Sequence, residues 1–258
     1  MKIIFFLSLG FCLAIPWSKG STFLVTSSTD TGPNTLRQAI LNADATVGRD
    51  TIEISAMLDT ILLSSHTDTL HRNHLWFDDT LVLFGNGIVL TTQDTGRFFQ
   101  NEAYAWMFDV IFLGGTSSLS GNGGAFWANR SITFTHCIFI QNSAPSRGGA
   151  VVASTNGAIT PLDTSDIVFI NCSFDSNHSG ITGGALWVRL CKARLEGCSF
   201  LQNTSDGTAP NIYLDQGEIT LAGLVAFDSA PQIVHGFRGT VILAEAFEVP
   251  LGTEFIIE

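Results

Sequence analysis

The sequence predicts an all-β protein, a right-handed parallel β-helix closed at its N-terminal end by a short capping helix. Three observations predict this fold class: a two-part motif that recurs at a spacing typical of stacked repeats, short alternating segments between its copies, and a composition with 20 Phe and 25 Gly but 2 Tyr and 7 Pro. Sequence repeats of this length are the signature of solenoids, in which each repeat forms one rung.

The motif consists of Gly-Gly-Ala, an apolar segment, and then Cys-x-Phe-x-x-Asn. The motif occurs three times, and apart from the cysteines its residues are Gly123, Gly124, Ala125, Phe139, Asn142, Gly148, Gly149, Ala150, Phe174, Asn177, Gly183, Gly184, Ala185, Phe200 and Asn203. We expect the phenylalanines to stack from rung to rung in the core and the glycines to form a corner with positive φ. We expect each asparagine to take the left-handed conformation at the following turn and to bridge neighbouring rungs.

Between the motifs, apolar and polar residues alternate over residues 131–135, 166–170 and 192–196, which predicts short strands. Residues 154–163 are inserted between two copies of the motif and predict a loop that leaves one rung. At about 24 residues and about 4.8 Å per rung, the chain would form roughly nine rungs and a rod of about 40 Å.

Three cysteines occupy equivalent places in the repeat: Cys137, Cys172 and Cys198. As small apolar residues one rung apart, they predict a buried ladder of free thiols. A disulfide between two of them is the alternative, and it would distort that ladder.

The N-terminus predicts a secretory signal peptide over residues 1–20, with an uncleaved anchor as the alternative. The rest of the chain, residues 21–258, is interpreted as one β-helix domain. Within it, residues 35–44 carry Leu36, Ala39, Ile40 and Ala43 at helical spacing behind Asn34, which is the expected N-cap. This amphipathic helix would cover the open first rung.

Charge and hydropathy exclude several classes of protein. The chain has a formal net charge of -11, which leaves no basic face for nucleic acid. With 45% hydrophobic and 14% charged residues it is not disordered. No later segment is long and apolar enough for a transmembrane helix, and no cofactor or metal is expected.

The Gly-Gly-Ala and Phe-x-x-Asn motifs, together with Thr35-Leu36-Arg37-Gln38-Ala39-Ile40, resemble the repeat family of the chlamydial polymorphic outer-membrane proteins and the wider group of secreted right-handed β-helices. The resemblance covers residues 23 to about 205, and the motifs are clearest over residues 123–205. It implies a secreted, cell-surface or outer-membrane protein with an adhesin-like or passenger-like role, whose partners are a host-cell surface, a glycan or the extracellular matrix. Residues 254–258 are strand-like and have no obvious cap, so a truncated piece of a longer autotransporter-type protein is an equal alternative to a complete chain.

No catalytic residue is assigned, although a pectin lyase-like, polysaccharide-active enzyme of the same fold is the main alternative function. Asp78-Asp79 is the only adjacent acidic pair and is placed in the turn before Leu81, and His235-Gly236 is expected to be a solvated turn. Three histidines are assigned to a polar loop rather than to a metal site: His66, His71 and His74. The glycine-rich residues 121–124 precede a strand, which argues against a phosphate-binding loop.

Overall fold

The structure is a computed structural model that describes residues 19–64, 74–93, 96–117, 121–154, 166–228, 234–244 and 255–257. It is a β-solenoid with parallel sheets and a single nine-residue helix among these residues. The elements in chain order are β1 (Lys19–Val25), α1 (Leu36–Asp44), β2 (Arg49–Ile54), β3 (Thr60–Leu63), β4 (Leu75–Phe77), β5 (Leu81–Thr92), β6 (Phe99–Asn101), β7 (Ala105–Leu113), β8 (Phe126–Ala128), β9 (Ile132–Thr135), β10 (Ile138–Ile140), β11 (Ser143–Ala144), β12 (Val151–Ser154), β13 (Asp166–Ile170), β14 (Ser173–Asp175), β15 (His178–Ser179), β16 (Leu186–Arg189), β17 (Lys192–Glu196), β18 (Ser199–Leu201), β19 (Thr204–Ser205), β20 (Ile212–Asp215), β21 (Glu218–Ala222), β22 (Ala226–Phe227), β23 (Val234–Phe237), β24 (Thr240–Leu243) and β25 (Phe255–Ile257).

Most rungs in the described part of the chain contribute a strand, or half of a long strand, to each of three long faces. Face A contains β2, residues 81–84 of β5, residues 105–108 of β7, and then β9, β13, β17, β21 and β24. Face B contains β3, the second halves of β5 and β7, and then β10, β14, β18 and β22. Face C contains β4, β6, β8, β12, β16, β20, β23 and β25, while β11, β15 and β19 form a short fourth strip.

The solenoid has about seven turns rather than the nine that the sequence predicts. Residues that occupy one column of face A, from Asp50 through Leu81, Ala105, Ile132, Ile167, Ala193 and Ile219 to Val241, lie 22 to 35 residues apart. The rungs are longer than the assumed 24 residues because loops interrupt them. The predicted loop at 154–163 begins at the end of β12, and residues 155–165 lie outside the described residues.

The predicted phenylalanine stack is confirmed. Phe139 and Phe174 have centroids 4.8 Å apart with 6° between their planes, and Phe174 and Phe200 are 4.7 Å apart at 4°. Phe112 and Phe227 extend the column at either end. The rings from Phe112 to Phe200 are fully buried and Phe227 is partly buried, so the stack forms the centre of the core along face B.

The two glycines of each pair have different reasons to be glycine. The first, as at Gly148, has φ of 62°, which confirms the predicted positive-φ corner. The second, as at Gly149, has no positive φ, but a Cβ there would lie under 3.0 Å from backbone atoms of the next rung. The second glycine therefore allows two rungs to approach each other.

The asparagines bridge the rungs as predicted, but the prediction that they take the left-handed conformation is wrong. The left-handed residue is the one before each asparagine: Gln141, Ser176 and Gln202 have φ of 54°, 55° and 52°. The buried Asn177 amide instead donates to the carbonyl of Phe139 at 3.0 Å and accepts from the backbone N–H of Asn142 at 3.0 Å. Because the amide must point inward to make these bonds, the exposed turn falls one residue earlier.

The cysteine ladder is confirmed as buried free thiols. Cys137, Cys172 and Cys198 follow one another in register, and each Sγ lies 3.4 to 3.6 Å from a backbone carbonyl of the preceding rung. Burial raises the pKa of the Cys172 thiol well above its ordinary value. Cys191 is also buried and forms no disulfide, and its Sγ donates to the carbonyl of Ala153 at 3.4 Å.

Helix α1 covers the first rung as predicted, with Leu36, Ala39, Ile40 and Ala43 buried. The predicted N-cap is wrong: Thr35 caps the helix, and its side chain accepts from the N–H of Gln38. Asn34 has φ of 59°, and its carbonyl accepts from Thr26 and Ser27 instead. That bond ties the helix start to the residues after β1.

The proposed signal peptide lies almost entirely outside the described residues, as do Cys12, His66 and His71. The expected cut after Gly20 falls inside β1. Beyond the cut, Thr22 to Val25 still pair with Thr51 to Ile54 of β2. Cleavage there would leave most of the first strand in place.

Candidate functional site

Four aromatic side chains share one region on the outside of face A, and we call them the aromatic shelf: Phe84, Tyr104, Trp106 and Phe108. Ala105 and Met107 are buried, so strand alternation turns Trp106 and Phe108 to the outer surface, and Tyr104, directly before β7, is exposed as well. Tyr104 is 58% exposed and Phe84 is 37% exposed. One rung thus presents three outward aromatic rings, at positions 104, 106 and 108.

The neighbouring rungs hold the shelf in place. Phe84 lies opposite Phe108 in the register, and their rings stack with centroids 5.0 Å apart and 17° between the planes. On the other side, β9 places Thr133 opposite Trp106 and Thr135 opposite Phe108. The shelf is therefore bordered by a row of hydroxyl groups on the next rung.

Two contacts of charged side chains lie beside the shelf. The guanidinium of Arg49 lies over the Trp106 ring, 6.0 Å from its centroid. Asp109 and His136 occupy the bend beyond Phe108, with Asp109 Oδ1 and His136 Nδ1 3.6 Å apart. Both side chains are about half exposed, so this pair contributes little to stability.

Farther along face A lies a shallow groove of about 150 Å³ lined by Asp166, Lys192, Arg194, Glu218 and three uncharged residues. Lys192 stands between Asp166 and Glu218 in one column, because β13, β17 and β21 pair in register. Lys192 Nζ lies 3.2 Å from Glu218 Oε1, and Arg194 lies 3.0 Å from Glu196. Three successive rungs thus bring together charged side chains that are 26 residues apart in the sequence.

Asp78 and Asp79 lie between β4 and β5, which confirms that this pair is in the turn before Leu81. Their backbone N–H groups donate to Asp44 Oδ1 at the end of α1. Burial, together with the nearby negative charges of the pair, raises the pKa of Asp44 to about 6 although these backbone hydrogen bonds oppose the rise. The pair anchors the cap helix and lies far from the charged groove.

Two of the histidines and the glycine-rich segment singled out in the sequence lie in a strand, next to a strand or at a corner of the solenoid. His235 lies in β23, paired with Tyr213, so its assignment to a turn is wrong. His74 directly precedes β4. Gly123 and Gly124 form a corner before β8, and Asn122 Oδ1 accepts from the N–H of Arg147 on the next rung. The described ranges contain no group of three or more side chains placed to hold a metal ion.

The repeat-motif residues are buried and hold the rungs together, so they are not available to a ligand. Sequence reasoning missed the aromatic shelf. A signal was present, because Tyr104, Trp106 and Phe108 alternate with smaller or apolar residues. In the sequence these residues form part of a short apolar run that Asp109 interrupts.

No helix in the described part of the chain is both long enough and apolar enough to cross a bilayer. Comparison of the sequence with protein-family models and with curated proteins finds no match.

Proposed function

We propose that this protein is an exported β-solenoid, secreted or held at a cell surface, that binds a partner through face A and carries out no catalysis. Its role would be similar to that of adhesin-type passenger domains. Export is proposed from the N-terminal signal sequence. The single observation that supports binding is the aromatic shelf, since three outward aromatic rings on one rung contribute nothing to the stacked core.

Exposing aromatic rings to water costs free energy. Covering an exposed cluster of aromatic side chains with a partner lowers the free energy, because the covering removes apolar surface from water. The rung beneath is rigid, because Ala105 and Met107 are packed in the core and both neighbouring rungs are paired with β7. A partner would therefore meet a surface already in its bound arrangement, which lowers the entropic cost of binding.

The experiment is a binding assay on mature protein applied to host-type epithelial cells and to immobilised matrix proteins. The test variant replaces Tyr104→Ser, Trp106→Thr and Phe108→Thr, which copies the outward residues 131, 133 and 135 of the next rung. The matched control replaces the outward apolar residues of β10 on face B, Ile138→Thr and Ile140→Thr.

We expect the shelf variant to lose binding while the control retains it, with both variants showing the circular dichroism spectrum of the parent. Equal binding by the shelf variant and the parent would refute a role for face A.

A polysaccharide-active enzyme is the second candidate function, and one observation favours it. Asp166 and Glu218 lie two rungs apart on either side of Lys192, so their backbones are about 9.6 Å apart. The two carboxyl groups of inverting glycosidases are roughly 6.5–9.5 Å apart, so this backbone separation lies just above that range. Against it, Glu218 is held by Lys192 in an ion pair.

The test is release of reducing or unsaturated ends from pectin, alginate and neutral glycans. Activity that disappears in Glu218→Gln but persists in Glu53→Gln, an exposed acid elsewhere on face A, would establish the enzyme. No product above the level of a buffer blank would eliminate it.

A further inference from the structure

We infer that the ligand of the aromatic shelf is an uncharged glycan chain that lies along β7. This inference rests on the proposed function, since it names the partner of the same site.

The shelf and its border combine two kinds of surface. Trp106 and Phe108 offer the ring surface that Arg49 and Phe84 leave exposed, and aromatic π surface attracts polarised C–H groups. Thr133 and Thr135, opposite them on β9, offer hydroxyl groups that both donate and accept hydrogen bonds. A pyranose ring has the complementary pair of surfaces, a face of C–H groups and a rim of hydroxyls.

The spacing suits a chain of sugar rings rather than a single ring. Alternate residues on a strand are about 6.6 Å apart, so Tyr104, Trp106 and Phe108 span about 13 Å. The hydroxyl row runs parallel to them one rung away, at about 4.8 Å. An oligosaccharide along β7 would therefore lay its rings on the aromatic residues and point hydroxyls at the row for its whole length.

The charges of face A favour an uncharged chain. Lys192 and Arg194 each contact a glutamate, and the guanidinium of Arg49 lies over Trp106. Near the shelf, Glu53 and Asp109 are acidic and exposed, and the protein as a whole has a net charge of -11. A uronate or sulfate chain would meet repulsion at the shelf and would have to break an existing contact to gain a cation.

The test is affinity electrophoresis and calorimetry of the mature protein with two sets of soluble polymers. The uncharged set is glucan, mannan, galactan and xylan, and the acidic set is polygalacturonate, alginate and heparin. We expect retention by at least one uncharged polymer, unchanged between low and high salt. Trp106→Thr should lower that affinity about tenfold or more, while Ile138→Thr on face B should leave it unchanged.

Three results would overturn the inference. One is retention by acidic polymers alone with a loss of affinity in high salt. Another is no retention by any uncharged polymer while the shelf variant still loses cell or matrix binding, which makes the partner a protein and leaves the proposed function intact. The third is a concentration-dependent dimer that Trp106→Thr abolishes, which makes the shelf an interface between copies. If the shelf variant also binds cells as the parent does, the proposed function fails together with the inference.

Discussion

The buried asparagine ladder provides the sharpest test of how the rungs are held together. Asn177 is fully buried, and its Oδ1 accepts from both the backbone N–H and the side-chain Nδ2 of Asn142, each at 3.0 Å. Its Nδ2 donates to the Phe139 carbonyl at 3.0 Å and to Asn203 Oδ1 at 2.9 Å. One side chain therefore joins three rungs.

Asn177→Ala removes these four hydrogen bonds and leaves the backbone N–H of Asn142 buried without its acceptor. A stranded buried donor costs about 1–3 kcal/mol, and each lost hydrogen bond with its partner satisfied elsewhere costs roughly 0.5–1.5 kcal/mol. We therefore expect the free energy of unfolding to fall by at least about 3 kcal/mol, measured by urea denaturation followed by circular dichroism.

The matched control is Asn171→Ala, the same chemical change at an exposed asparagine. Asn171 has φ of 51°, so its loss should cost only about 1 kcal/mol, from the left-handed backbone. Equal losses in the two variants would refute the reasoning, because the ladder would then add nothing beyond a turn residue.

Asn177→Asp separates hydrogen bonding from packing, since it preserves the shape of the side chain. A carboxylate cannot donate, so its second oxygen would face the Phe139 carbonyl and Asn203 Oδ1. We expect a loss at pH 7 at least as large as that of the alanine variant. Burial among acceptors raises the pKa of this carboxyl in the folded state, so the loss is partly recovered as the pH falls from neutral towards about 4. A loss that does not change with pH, relative to the parent at each pH, would contradict the assigned orientation of the amide.

Three further predictions follow from the cap, the corners and the thiols. Gly149→Ala should lower the free energy of unfolding by more than about 3 kcal/mol, because its Cβ would collide with backbone carbonyls, whereas Gly87→Ala, with open space around it, should cost about 1 kcal/mol in the same urea experiment. The Asp44 carboxyl has a pKa of about 6 in the folded state against 3.8 ordinarily, so the folded state binds the proton more tightly and stability falls as the pH rises from about 4 to about 6. Asp44→Asn should flatten that part of the stability profile by roughly 1 kcal/mol, allowing for solvent screening, and an unchanged profile would contradict the assignment. Thiol reagents should modify none of the four buried cysteines in the native protein and all four after denaturation. Fast labelling of the native protein would contradict their burial. The four cysteines are Cys137, Cys172, Cys191 and Cys198.

The fold could be predicted from the sequence because each copy of the motif marks one rung of the solenoid. A column such as Phe139, Phe174 and Phe200 needs only the repeat spacing to be recognised, and its ring stacking follows from the distance between rungs. The number of turns was less predictable, since it depends on loops whose lengths do not follow the motif.

The conformational preferences of single residues gave wrong predictions at positions where long-range contacts decide the backbone conformation. Asparagine is the non-glycine residue best suited to the left-handed region, so Asn177 was the natural choice for the turn. Its burial and its bonds to residues 26 and 35 positions away place Ser176 there instead. The same holds at the helix start, where a tie between Asn34 and the residues after β1 leaves the cap to Thr35.

The aromatic shelf could be recognised only once the register was known. Alternation shows that Tyr104, Trp106 and Phe108 share a side of their strand, but the stacked partner Phe84 and the hydroxyl row on β9 come from other rungs. The charged groove needs the register as well, because Asp166, Lys192 and Glu218 are each 26 residues apart.

The division between inside and outside explains why function should be sought on the outer columns. The inward positions repeat from rung to rung, since each must fit the rung above and below it. The outward column through Trp106 continues as Thr133, Val168 and Arg194, residues with no chemistry in common. Because a threonine is accommodated one rung away in the same column, the fold does not require an aromatic residue at position 106. Replacing the shelf should thus change binding with little change in stability, which makes function separable from folding in this protein.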